Sequence, residues 1–143
     1  MSVLVPIPTQ SLQAGDLYSV KGNVIVVTGG GTGLGRMMTE GFVVNGAKVY
    51  IVGRREEVLS KAAEEINQEF GKSGGCVIPV KGDISTKAGA KAIVDIIGSK
   101  ETHVDTLVNN AAIQVPWKNP ITTVEGHNDP EQVERLVWEG VEE

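Results

Sequence analysis

The stretch VIVVTGGGTGLGRMMTEGF, Val24 to Phe42, decides the fold. Val24–Val27 is a short, mostly β-branched run and reads as a buried strand. Five of the eight residues from Thr28 to Gly35 are glycine. Leu34, Met37, Met38, Gly41 and Phe42 then recur at i, i+3, i+4, i+7 and i+8, the spacing of an amphipathic helix face. A glycine-rich junction between a strand and a helix is the phosphate-binding turn of a dinucleotide fold. Glycine admits positive φ and lets a pyrophosphate approach the backbone with no Cβ in the way. The helix N-terminus adds free N–H groups and partial positive charge. A merely tight strand–helix turn would need fewer glycines.

Working outward, the pattern alternates. GAKVYIVG supplies a second strand after a helix stop at Gly46. Leu59, Ala62, Ala63, Ile66 and Phe70 give a second helix, which GKSGG ends. CVIPV is a third strand whose proline suits a sheet edge. Ala90, Ile93, Val94 and Ile97 mark a third helix, and VDTLVNNAA a fourth strand with a polar exit. Strand and helix in strict alternation predict an α/β protein, a parallel sheet with helices on both faces. Residues 113–128 are irregular, with Pro116, Pro120 and Gly126. Asp129-Pro130-Glu131 then reads as a helix start, followed by an apolar face of Val133, Leu136, Val137 and Val141.

The chain has 143 residues, 41% hydrophobic and 22% charged, the size and composition of one globular domain. Its single cysteine, Cys76, rules out an internal disulfide and suits a reducing compartment; it reads as core or inert, and the expected location is cytoplasmic. No apolar run of about 18 residues is present to span a membrane. Residues 1–20 lack the basic and apolar regions of a secretory signal and read as an extended lead-in. The net charge of −5 is lopsided: residues 125–143 carry seven acids and one base, the remainder 11 acids and 12 bases. Neither part is basic enough for nucleic acid, and the acidic end reads as a solvated helix face. His103 and His127 have no companion ligands in the sequence, so no metal site is expected.

Three motifs fall in order on these elements. Thr28-Gly29-x-x-x-Gly33-x-Gly35 closes the first strand, GDIS (Gly82–Ser85) follows the third, and NNAA (Asn109–Ala112) closes the fourth. Together they resemble the short-chain dehydrogenase/reductase family, with Ala112 standing where the family usually has glycine. The resemblance implies a Rossmann-type three-layer sheet, truncated, with strand order 3-2-1-4. The partial cofactor domain would occupy residues 21–143. It implies that Thr28, Gly29, Gly31, Thr32, Gly33, Leu34 and Gly35 shape the pyrophosphate turn, Thr28 fixing it by side-chain hydrogen bonding. Asp83 and Ile84 would face adenine, and Asn109 and Ala111 the inner ribose. Read alone, Asp83 is equally a local turn former, and the two asparagines equally satisfy backbone groups where the sheet ends.

The choice of nicotinamide cofactor rests on the residues about 20 positions past the glycines, where an NAD reader carries an acid. Gly53 and Arg54 stand there, and no acid precedes Glu56. Arg54, with Arg55, suits a 2′-phosphate, which takes bidentate positive donors. A solvated pair of arginines is the competing reading, but cations at a helix start oppose its dipole. NADP(H) is therefore favoured over NAD(H). The family's basic residue inside the glycine motif is replaced by Thr32.

In this family a tyrosine acts as general acid/base, a lysine four residues on lowers its pKa, and an upstream serine steadies the substrate. Neither tyrosine fits: Tyr18 has Lys21 three residues on, and Tyr50 has Arg54 at the fourth. No serine follows Ser99, and no Ser/His/Asp arrangement is visible. No catalytic residue is therefore assigned, and the chain alone is expected to be inactive. The expected function is the cofactor-binding part of an NADP(H)-dependent oxidoreductase acting on a small carbonyl or alcohol. The alternatives are a non-catalytic NADP(H)-binding module and an inactive shortened product. An edge-exposed fourth strand predicts self-association or pairing with a full-length relative.

Overall fold

A computed structural model describes residues 14–112. The readings of residues 1–13, of the segment after Ala112 with His127, and of the helix beginning at Asp129 lie outside the described residues.

Within them the chain runs α1 (Ala14–Leu17), β1 (Val24–Thr28), α2 (Gly33–Val44), β2 (Lys48–Gly53), α3 (Glu56–Phe70), a 3-10 turn (Gly71–Ser73), β3 (Cys76–Lys81), α4 (Lys87–Gly98) and β4 (Thr106–Val108). The four strands form one sheet in the order β3-β2-β1-β4, every neighbouring pair parallel. This is the expected Rossmann-type order. Alternation of side chains across the strands divides the core. Ile25, Val27, Val49, Ile51 and Val77 pack beneath α2 and α3. Val24, Val26, Tyr50, Val52 and Val80 face the other way, onto Ile93 and Ile97 of α4. Both faces of β1 are covered, so all five of its residues are buried, as in central parallel strands.

Three local readings are corrected. The lead-in is not extended throughout: Ala14–Leu17 makes one helical turn, closed by the Tyr18 N–H on the Ala14 carbonyl at 3.1 Å. The fully buried residues of α2 are Gly35, Thr39 and Val43; of the expected stripe Leu34, Met37, Met38, Gly41 and Phe42, only Met38 and Phe42 are partly buried, Phe42 against the core. Leu34 is 71% and Met37 65% exposed. The reason is Gly35, whose missing side chain brings this line of the helix onto the sheet, and rotation about it turns the neighbouring line outward. β4 is only three residues long, because the chain leaves the sheet after Val108 to bind back onto β1.

The expectation for CVIPV holds. β3 is a sheet edge and Pro79 is exposed in it. Asn67 of α3 covers that edge like a false strand. Its Nδ2 donates to the Val77 carbonyl at 3.0 Å, and its Oδ1 accepts from the Val77 N–H at 2.7 Å. Pro79 lies on the same alternation as Val77 and has no N–H to offer. Cys76 opens this strand, half-buried and reduced.

At the opposite end of the strands the loop between α4 and β4 is pinned by two carboxylates. Asp105 Oδ2 accepts from the Val24 N–H at 2.7 Å. Glu101 Oε1 accepts from the Tyr50 hydroxyl and lies 3.0 Å from Lys48 Nζ. The Tyr50 bond first, then Lys48, hold the Glu101 carboxyl below the usual carboxylate range. Burial, and then Glu101, push the Tyr50 phenol up.

Candidate dinucleotide-binding site

All four strands being parallel, the loops that leave them share one edge of the sheet: residues 29–32, 54–55, 82–86 and 109–112. β1 lies between β2 and β4, so the chain departs from it in one direction and returns on the other side. The crevice outside such a switch point is where open α/β sheets bind ligands.

The glycine turn is built from two constraints. Gly29 (φ +71°) and Gly33 (φ +53°) adopt the left-handed conformation, which costs a residue with a Cβ about 1–2 kcal/mol. Gly35 is required by contact. A Cβ there would collide with the Gly29 carbonyl oxygen and stand 2.6 Å from Asn110 Nδ2. Gly30 and Gly31 are buried, and a Cβ on Gly31 would press Leu59 Cδ2 at 3.2 Å. They let the turn pack on β2 and α3, so Gly31 supports the turn from beneath.

The exposed rim of the turn is Thr32, Gly33 and Leu34. Thr32 is the N-cap of α2 in extended conformation, with no side-chain bond to the helix N–H groups, and the first turn of α2 carries no acid. A Cβ on Gly33 would meet nothing within 4 Å. An open, uncapped and acid-free helix start beside a glycine without neighbours is a cradle that a pyrophosphate fits. α3, by contrast, has Glu56 and Glu57 in its first turn.

Thr28 is not on the rim. Its side chain is buried, and its hydroxyl donates to the Val108 carbonyl at 3.2 Å while accepting from the N–H groups of Asn110 (3.0 Å) and Ala111 (3.1 Å). One donor and two acceptors are thereby fully used. The residue ties β1 to the exit of β4 and sets the turn indirectly. Asn110 completes the tie from the other side: its Nδ2 donates to the Thr28 carbonyl at 2.9 Å, with the Gly29 carbonyl at 3.5 Å. Sequence reasoning singled out Asn109 and Ala111 for the inner ribose, and the structure leaves both exposed; its other reading, asparagine satisfying backbone groups where the sheet ends, holds for Asn110.

Arg54 and Arg55 follow β2, both exposed, with Arg55 as the N-cap of α3. Asp83 lies past β3 and accepts from the Ser85 N–H at 3.0 Å. That bond, the Ser85 side chain and the Arg54 charge keep its carboxyl below the usual range. Asp83 thus forms the local turn, on the edge of the sheet where the strand-exit loops gather. Ile84 beside it is 44% exposed.

Tyr50 is buried at 1% exposure among the residues facing α4, paired with Val26 in mid-sheet, with its hydroxyl on Glu101. Thr102, His103 and Asp105 come into line, with His103 Nδ1 3.2 Å from Thr102 Oγ1 and Nε2 3.4 Å from Asp105 Oδ1. That line sits on the edge away from the site, and Asp105 is committed to the Val24 N–H. Among the described residues no three His, Cys, Asp or Glu side chains converge, and no helix is long and apolar enough to cross a membrane.

A parallel 3-2-1-4 sheet with a glycine turn at its switch point defines a Rossmann-like nucleotide-binding fold. The chain belongs to the short-chain dehydrogenase/reductase family: the family profile for short chain dehydrogenase matches residues 23–137. It is 41% identical over 114 residues to the short-chain dehydrogenase/reductase VdtF of Byssochlamys spectabilis, covering 80% of this chain and 35% of that protein. With PhomF of Diaporthe leptostromiformis it shares 47% over 108 residues, covering 76% and 35%. The chain therefore spans about a third of the length of these relatives. Among solved structures, L-sorbose reductase from Gluconobacter frateurii, complexed with NADPH and L-sorbose, superposes with a TM-score of 0.61 at 35% identity, over 66% of this chain and 35% of that one. The Pseudomonas aeruginosa RhlG/NADP complex gives 0.61 at 30% identity, over 73% and 38%.

Proposed function

We propose that this chain is the cofactor-binding part of an NADP(H)-dependent oxidoreductase that moves hydride to or from a carbonyl or secondary alcohol. The observation that carries the reading is the uncapped, acid-free start of α2 against the open rim at Gly33. In this reading the rim of Thr32, Gly33 and Leu34 receives the pyrophosphate. Asn110 and Thr28 keep the rim in place by fixing the backbone of Thr28 and Gly29. Asp83 and Ile84 border the adenine, Asn109 and Ala111 the inner ribose. Arg54, with Arg55, reads the 2′-phosphate, and relatives solved with NADPH or NADP support that choice. The bound nicotinamide would supply the hydride donor or acceptor; this chain's residues bind and orient it.

Tyr50 takes no proton from substrate in this scheme. Burial and Glu101 hold its phenol neutral, in mid-sheet. That favours assigning the described residues to binding alone, and keeps a non-catalytic NADP(H)-binding module as the second reading. Fluorescence titration with NADPH and NADH tests the proposal. A preference for NADPH is expected, reduced about tenfold or more by Arg54→Asp, which replaces charge-assisted bonds by repulsion. Absence of binding to a folded sample would refute it. Turnover of simple carbonyls with NADPH separates the enzyme from the binding module.

A further inference from the structure

Lys81 is the last residue of β3 and pairs in register with Gly53, the last residue of β2. Its ammonium therefore stands one strand away from the point where Arg54 begins the loop to α3. Residues paired in a parallel sheet point to the same face, so Lys81 emerges on the side of Gly53. The Lys81 ammonium is held there by Glu56 of the first turn of α3, Nζ to Oε2 3.0 Å. Both side chains are well over half exposed, and such a pair exchanges its partner easily. The Arg54 charge acts on Asp83, two residues beyond Lys81.

Resting on the NADP(H) reading above, we propose that Lys81 is a specificity-determining residue, the second cation that grips the 2′-phosphate alongside Arg54, with Glu56 holding it in waiting. A phosphate monoester carries nearly two charges at neutral pH, more than the single carboxylate that it displaces from Lys81. Glu56, left without its partner, opposes the phosphate in part, so the pair trims the selectivity that Arg54 confers.

Calorimetric titration of the full chain with 2′,5′-ADP and 5′-AMP tests this, since the two probes differ only at the 2′-phosphate. Lys81→Met is expected to weaken 2′,5′-ADP by about fivefold and leave 5′-AMP unchanged. Lys81→Arg should keep the preference, and Glu56→Gln should strengthen 2′,5′-ADP. An unchanged ratio in Lys81→Met, with the preference still lost in Arg54→Ala, overturns the role of Lys81 while the NADP(H) reading stands. A wild-type chain that binds the two probes equally overturns both. Weakening of 5′-AMP to the same degree shows damage to the fold instead of a lost phosphate contact, and likewise overturns the assignment.

Discussion

Gly35 and Gly41 lie on the same helix, six residues apart, and the same substitution should act on them with opposite sign. At Gly41 an added Cβ meets nothing within 4 Å, so Gly41→Ala gains the helix propensity that glycine lacks, about 0.5–1 kcal/mol. At Gly35 the same Cβ runs into the Gly29 carbonyl and Asn110 Nδ2. Backbone on one side and a doubly anchored amide on the other cannot give way cheaply, and overpacking of this kind costs about 1–3 kcal/mol. The propensity gain is common to both variants, so the gap between them reads the collision alone. Urea unfolding followed by circular dichroism would measure it. With a slope of about 1–3 kcal/mol per molar, the two midpoints should separate by about 1 M, wild type falling between them. Gly35→Ala should also lose NADPH affinity, since relief of the collision moves the glycine turn, whereas Gly41→Ala should bind as wild type. Midpoints displaced equally and in the same direction would refute the close approach of α2 to β1 on which the site geometry depends.

Thr28→Val removes the acceptor for two N–H groups and the donor to one carbonyl; a loss of about 2 kcal/mol or more in unfolding free energy is expected, largely restored by Thr28→Ser. Asn67→Asp sets a carboxylate oxygen against the Val77 carbonyl in place of the donor; it should cost about 1–3 kcal/mol and raise light scattering as the β3 edge is uncovered. Glu101 has a depressed folded-state pKa, so its contribution is present above the ordinary carboxylate range and fades as pH falls through and below it. Tyr50 has a raised one, so its contribution is present below the ordinary phenol range and fades as pH rises beyond it. Midpoints measured across pH should decline at both ends, and Glu101→Gln should make the acid decline shallower; an unaltered acid slope would count against the Tyr50–Glu101–Lys48 cluster.

Periodicity and punctuation made the order of elements readable, and the resemblance to the short-chain dehydrogenase/reductase family supplied the sheet order. Leu59, Ala62, Ala63 and Ile66 are buried as their spacing indicates. The face of α2 was not readable that way. Hydropathy favours Leu34 and Met37 for the core, but the contact that orients the helix belongs to Gly35, a residue without a hydrophobic side chain. The glycines were legible as a turn, yet their division into an exposed rim and a packed base depends on Ile51 and Leu59 from other elements. Thr28 was legible as a side chain that hydrogen-bonds at the turn, but its partners were not: the short span of β4 and its register against β1 bring Asn110 within reach of it.

The coverage of β3 by Asn67 has a consequence for how copies of this chain can meet. The outer side of β3 offers Val77 already bonded and Pro79 without a donor, while β4, among the described residues, has β1 as its one strand neighbour. A sheet sealed at β3 cannot add copies head to tail, because that would need β3 of one copy to accept a strand of the next. The seal on that flank is a guard against fibres grown by strand pairing.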